Sequence, residues 1–191
     1  MRRIPLTIAV LAAFALPASA QREAITHGLE VRSFAGAYVP TGTQRDDFKA
    51  ASTIGLQLAE ELTDHFHMLG SFGWTHGHNK FAALNDDVTY IWSYDVGVEA
   101  NALHWINDTW LFRPLIGVGF GGRTYDYQAT NVGSNSCTVG YGSAGAEFQR
   151  GVVALRMDAR EYVTCFKSPV KSGRSTRNDM SLTFGLVYHL R

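Results

Sequence analysis

The chain has 191 residues, 46% of them hydrophobic and 12% aromatic, with 19 glycines and only 18% charged side chains; this is one-domain length and too apolar for a disordered segment. Seventeen basic and 17 acidic residues cancel, which excludes a generally basic nucleic-acid binder. Beyond residue 20 no apolar run approaches the ~18 residues that a membrane-spanning helix needs, and the composition points to a β-rich chain.

The first element is a leader. Met1-Arg2-Arg3 is a short positive segment, Ile8 to Leu16 is apolar, and Ala18-Ser19-Ala20 is a small-x-small cleavage site. The pattern predicts a signal peptide over residues 1–20, cut before Gln21, and a single mature domain over 21–191. Arg2 and Arg3 leave with the leader, so the mature domain keeps 15 basic and 17 acidic side chains. Export follows. No cysteine stands at the cut to carry a lipid anchor.

Thereafter nearly every segment alternates with period two, the strand signature. The predicted strands are Leu29–Val39, Ser52–Leu62, Phe66–Trp74, Thr89–Glu99, a segment about Ile116–Gly121, Val139–Gln149, Val152–Cys165 and Met180–Leu190. In the third, Phe66, Met68, Phe72 and Trp74 oppose His67, Ser71 and Gly73. In the fourth, Tyr90, Trp92, Tyr94, Val96 and Val98 oppose Ser93, Asp95, Gly97 and Glu99. In the last, Phe184 and Leu186 oppose Thr183 and Gly185. A helix reading fails on the glycine content and the missing i, i+3, i+4 stripe.

The connections alternate between short and long, as expected when one rim of an up-and-down barrel carries turns and the other carries loops. One moderate connection, Ala102–Thr109, contains Leu103-His104-Trp105-Ile106, read here as one helical turn at a membrane interface. A weak repeat, Gly55-Leu56-Gln57, Gly97-Val98-Glu99, Gly145-Ala146-Glu147 and Gly185-Leu186-Val187, marks four hairpin units. Glycine beside a polar inner residue suits a narrow barrel. The apolar face carries too many aromatic rings for an eight-stranded lumen to hold, so it should face lipid. The opposite face offers Arg32, Gln57, Asp95, Glu99, Arg113, Glu147, Arg156, Asp158 and Arg160. Charges in a closed lumen must pair, and Glu99, Glu147, Arg113, Arg156 and Arg160 are the expected network. Cys137 and Cys165 flank the Arg150-Gly151 turn at near-equal distances and are expected to bridge in an oxidising compartment.

The stretches Gly36–Gly42, Arg113–Gly122 and Ser181–Tyr188 resemble the outer membrane protein β-barrel domain of small bacterial barrels of the OmpA and OmpX type. The resemblance spans nearly all of residues 28–191. It implies an all-β fold, an eight-stranded antiparallel up-and-down transmembrane β-barrel preceded by a cleavable signal peptide, in the bacterial outer membrane. It also implies outer-membrane lipid and the barrel-insertion machinery as partners, with no nucleic acid. Such barrels usually finish on an aromatic residue, whereas this chain ends Tyr188-His189-Leu190-Arg191, leaving Tyr188 as the expected recognition residue.

Chemistry is weakly signalled. His65/His67 and His76/His78 are i, i+2 pairs, read mainly as solvated or lumen-lining, with weak metal binding as the alternative. Some small barrels of this kind cut acyl chains from lipopolysaccharide with a His-x-Ser arrangement, and the sequence contains no His-x-Ser. The expectation is therefore no enzyme, no cofactor and no metal. The leading role is structural or surface interaction around a plugged polar lumen, with an unidentified extracellular loop partner. The alternatives are a narrow pore or carrier for small or hydrophobic solutes, and a soluble secreted lipocalin-like binding barrel.

Overall fold

The computed structural model describes residues 28–80, 87–128, 133–167 and 174–190. The predicted leader, residues 1–20, lies outside them. Nine strands follow in chain order: β1 (Leu29–Pro40), β2 (Ala51–Thr63), β3 (Phe66–His78), β4 (Val88–Asn101), the two-residue β5 (His104–Trp105), β6 (Leu111–Tyr127), β7 (Asn135–Arg150), β8 (Val153–Lys167) and β9 (Arg174–Leu190). Each long strand pairs antiparallel with its sequence neighbour. Two further pairings close the ring: β4 runs against β6 from Thr89↔Tyr127 to Asn101↔Leu115, and β1 runs against β9 from Leu29↔Leu190 to Pro40↔Asp179. The result is a closed eight-stranded barrel, with β5 continuing the β4 ladder beyond the rim.

Alternation along each strand decides what faces where. Leu56, Phe72, Val98, Phe120, Met157, Phe184 and Leu186 are all more than 40% exposed on the outer wall. Glu30, Arg32, Gln57, His67, Asp95, Glu99, Glu147, Arg156, Asp158 and Arg160 are buried inside. A water-soluble barrel would reverse this order; apolar outside and charged inside is the arrangement of a wall that stands in lipid.

Thr63-Asp64-His65 and Gly151-Val152 make the tight turns of one rim. Gly151 has φ +63°, the left-handed conformation that glycine adopts without strain. At the other rim the β1–β2 connection folds inward as a 3-10 turn, Gly42–Asp46. Its end is fastened by a bridge between Phe48 and Asn79 and by the Lys80 N–H donating to the Asp47 carbonyl at 2.7 Å.

Candidate functional site

The lumen concentrates most of the buried charge, and it is built in tiers. Nearest the tight-turn rim, Glu30 sits among four cationic or imidazole groups. Arg32 donates to it at 2.5 Å, Arg113 at 3.4 Å, His189 Nδ1 lies at 3.0 Å and His67 Nε2 at 3.5 Å. Glu147 shares Arg113 at 3.6 Å and His189 at 3.4 Å. One step further in, Arg156 grips Glu99 with both terminal nitrogens, at 2.5 and 3.0 Å, and reaches Asp158 at 2.9 Å. Such bidentate pairing fits the guanidinium fork to the carboxylate and fixes both planes. Arg32 also reaches Glu99 at 3.3 Å, tying the two tiers together. Above them Arg160 donates to Asp158 at 2.8 Å, Asp95 at 3.2 Å and Ser71 at 3.3 Å, with the Tyr141 ring 4.9 Å away.

Towards the loop rim the lumen turns aromatic. Arg123 pairs with Asp179 and lies over the Tyr162 ring at 3.9 Å and the Tyr38 ring at 5.5 Å. Tyr38, Phe48, Ile91, Tyr125 and Tyr127 pack as one buried cluster beneath the inturned loop. Gln44 of that loop is fully buried and donates to the Tyr38 hydroxyl at 2.6 Å and the Tyr125 hydroxyl at 3.4 Å. Asp47 pairs with Arg177. Between the Arg160 and Arg123 tiers is a cavity of about 20 Å³, lined by Ser71, Thr75, Asp95, Arg123 and Tyr162 among others; that is room for about one water.

Of the five residues expected to form the network, four are brought together directly: Arg113 meets Glu147, and Arg156 meets both Glu99 and, at 3.8 Å, Glu147. Arg160 stands one tier away and joins them through Asp158. The sequence leaves Glu30 unmarked as the hub, and Arg123 and Asp179 with it, and offers His67 as solvated or lumen-lining without joining it to the network. The signal was present: each is on the inner phase of its strand.

The lumen also holds large rings: Tyr38, Tyr125, Tyr127, Tyr141 and Tyr162 are all buried. Glycine makes the room: a Cβ on Gly97 would stand 2.2 Å from the Tyr141 hydroxyl, and one on Gly119 2.5 Å from its ring. The four repeated glycines, 55, 97, 145 and 185, each have a neighbouring atom within 2.3 Å of where a Cβ would be.

The expected Cys137–Cys165 disulfide is absent, and both cysteines are free. Arg150 pairs with Val153 and Val139 with Thr164. Carried two residues further, that register sets Cys137 level with residue 166, one residue from Cys165. A one-residue offset reverses the face. Cys137 packs inward against the buried aromatic clusters, while Cys165 is exposed in phase with Val163.

A second correction concerns Leu103–Ile106, which extends the β4–β6 ladder and forms no helical turn. The histidines divide. His67 is buried 3.0 Å from Asn101 in the lumen, His65 is exposed in a turn, and His76 and His78 are exposed on the outer wall beside Trp74. Among the described residues no group of three or more His, Cys, Asp or Glu side chains is placed to hold a metal ion.

No curated protein sequence matches the chain. Solved structures similar to it include Neisserial surface protein A, 12% identical over 84% of this chain and 96% of the other, with a TM-score of 0.53. The N-terminal β-barrel domain of Pseudomonas aeruginosa OprF is 13% identical over 86% and 98%, with a TM-score of 0.50. The outer membrane enzyme PagL is 16% identical over 82% and 97%, with a TM-score of 0.40. At such identities the first two support the fold alone. The family is shown by the sequence itself, because residues 6–189 match the outer membrane protein β-barrel domain. With an apolar wall outside, a paired-charge lumen inside and that match over nearly its whole length, the chain belongs to the outer membrane protein β-barrel domain family and is a protein of the bacterial outer membrane.

Proposed function

We propose that this barrel is a closed structural or surface-interaction element of the outer membrane, neither a diffusion pore nor an enzyme. The observation that carries the reading is the filled lumen. Paired charges occupy it from the tight-turn rim to Asp95, aromatic side chains occupy the rest, and the inturned 42–48 segment covers the loop end. An eight-stranded interior is just wide enough for its own side chains to fill. Glu30, Asp95, Glu99, Glu147, Asp158 and Asp179 each have a cationic or imidazole partner within 4 Å. Groups so engaged are held by one another and are not poised for proton transfer. The sequence-based expectations of a leader cut before Gln21, and of insertion through recognition of Tyr188, belong to the same proposal; Tyr188 lies on the outer wall and is 50% exposed.

Planar-bilayer recording tests the reading. Purified protein should insert without steady unit conductance in molar salt. Reproducible conductance steps, or swelling of proteoliposomes in small sugars, would show an open path and overturn it.

A further inference from the structure

The β4–β6 hairpin does not stop where its neighbours do. The Asn101 N–H still donates to His65 at the tight turn of β2 and β3, at 2.9 Å. Beyond it the ladder continues in the same register: Ala102 N–H to the Pro114 carbonyl at 3.1 Å, His104 against Phe112, Trp105 against Leu111, and Ile106 N–H to the Trp110 carbonyl at 3.0 Å. Asn107 closes the tip, its side-chain oxygen accepting from the Thr109 and Trp110 N–H groups at 2.9 Å each. The family's turns at this rim are characteristically short, so a ladder running past the rim is a departure that needs a reason.

Its composition supplies one. Trp105 is 63% exposed, Ile106 56%, Leu103 39% and Trp110 37%. Ile106 and Trp110 share the outer phase with Phe112, and Leu103 and Trp105 the other face; exposed apolar side chains of this size are costly in water. The tongue is continuous with the outer wall through Phe112, whose ring lies 4.9 Å from that of Phe148. Arg150 stands at the end of β7 with its guanidinium 5.5 Å over the Trp110 ring, so a cation is fixed beside Trp110. The depth is limited from the other side. Ladder bonds alternate along an antiparallel strand, so the Trp105 N–H and C=O point away from β6, towards the edge that β3 has left. An open edge cannot lie in hydrocarbon. Asn107, Asp108 and Thr109 make the tip polar and exposed.

We infer that the 102–110 tongue is a membrane-interface anchor that lies in the phospholipid headgroup layer at the tight-turn rim. Ile106 and Trp110, on the outer phase with Phe112, contact the glycerol and upper acyl region, and Arg150 faces lipid phosphate, while Leu103 and Trp105 stand on the tongue's other face. Tryptophan favours this layer because its ring is apolar and its N–H needs a partner. The anchor stands on the β4–β6 side of the barrel and fixes the depth of that side. The inference rests on the membrane-barrel reading.

The chain has four tryptophans, so Trp74→Phe, Trp92→Phe and Trp105→Phe together leave Trp110, on the outer phase, as the reporter. The variant is reconstituted in phosphatidylcholine/phosphatidylglycerol vesicles containing lipids brominated at shallow or deep acyl positions. The expected result is blue-shifted emission, quenched at least twofold more by shallow than by deep bromine. Water-like emission that acrylamide quenches and bromolipid does not, or strongest quenching by deep bromine, overturns the anchor. A second protein, with all four tryptophans changed to Phe and Phe184→Trp added, reports on the wall. Deep quenching at 184 with an unquenched tongue defeats the anchor alone; no quenching at 184 defeats the barrel's membrane placement and the anchor with it. A nitroxide at Ile106→Cys, in a Cys137→Ser, Cys165→Ser background, gives an independent depth by oxygen and nickel-chelate accessibility.

Discussion

Glu99 shows how much one buried carboxylate can hold. It is 2% exposed and neutralises Arg156 through two bonds and Arg32 through one nitrogen that reaches both carboxylate oxygens. Glu99→Gln keeps the size and removes the charge, so two guanidiniums lose a shared counter-charge in a site with little water. Breaking a buried pair from one side costs about 3–5 kcal/mol. Arg156 keeps Asp158 and Arg32 keeps Glu30, which places the expected loss near ~3 kcal/mol. Urea unfolding in lipid vesicles, followed by tryptophan emission, measures it. Glu60→Gln, on the exposed outer phase of β2, should change stability by less than ~0.5 kcal/mol; equal losses at the two sites would contradict a paired lumen.

At the scale of the strand, alternation does most of the work. In β9, Leu182, Phe184, Leu186 and Tyr188 are exposed while Val187 is buried and Thr183 and Gly185 lie on the inner phase. Leu186→Arg should cost ~2–4 kcal/mol if its Cα stands near the bilayer midplane, since the cation meets hydrocarbon; stability below that of wild type in vesicles, with unchanged near-native spectra, is the outcome to look for. This period-two pattern made the strands and their faces readable from residues alone, because one face had to be apolar throughout. It also identified Glu99, Glu147, Arg113 and Arg156 as lumen groups. What it did not carry was register to the single residue. Cys137 and Cys165 were matched by counting outward from Arg150 and Gly151, but the turn is Gly151-Val152 and the first pair is Arg150↔Val153, so the count was one residue off. Nor did alternation show the cross-barrel partners. Glu30 meets His67, Arg113 and His189 across three other strands, and proximity of that kind depends on closure. The inward tyrosines were hidden for a related reason: the glycines that admit Tyr141, Gly97 and Gly119, lie on β4 and β6.

For the whole molecule, the hub at Glu30 bears on the order of assembly. Its partners come from β1, β3, β6 and β9, and β9 is also the strand that closes the ring against β1. Until the last strand arrives, both sheet edges are bare and His189 is missing from between Glu30 and Glu147. Hydrocarbon tolerates neither open edges nor unmatched charge, so a partly rolled sheet has no resting place in the bilayer. Ring closure and charge neutralisation are then one event, reached late because it joins the two ends of the domain and bears the full loop-closure entropy. A chain ending at residue 173 should give no heat-modifiable, protease-resistant species in vesicles, whereas the same chain supplied with a separate 174–191 peptide should recover some. The tally of Glu30's partners thus sets a rule of timing: the barrel commits to the membrane when its final strand docks, and not before.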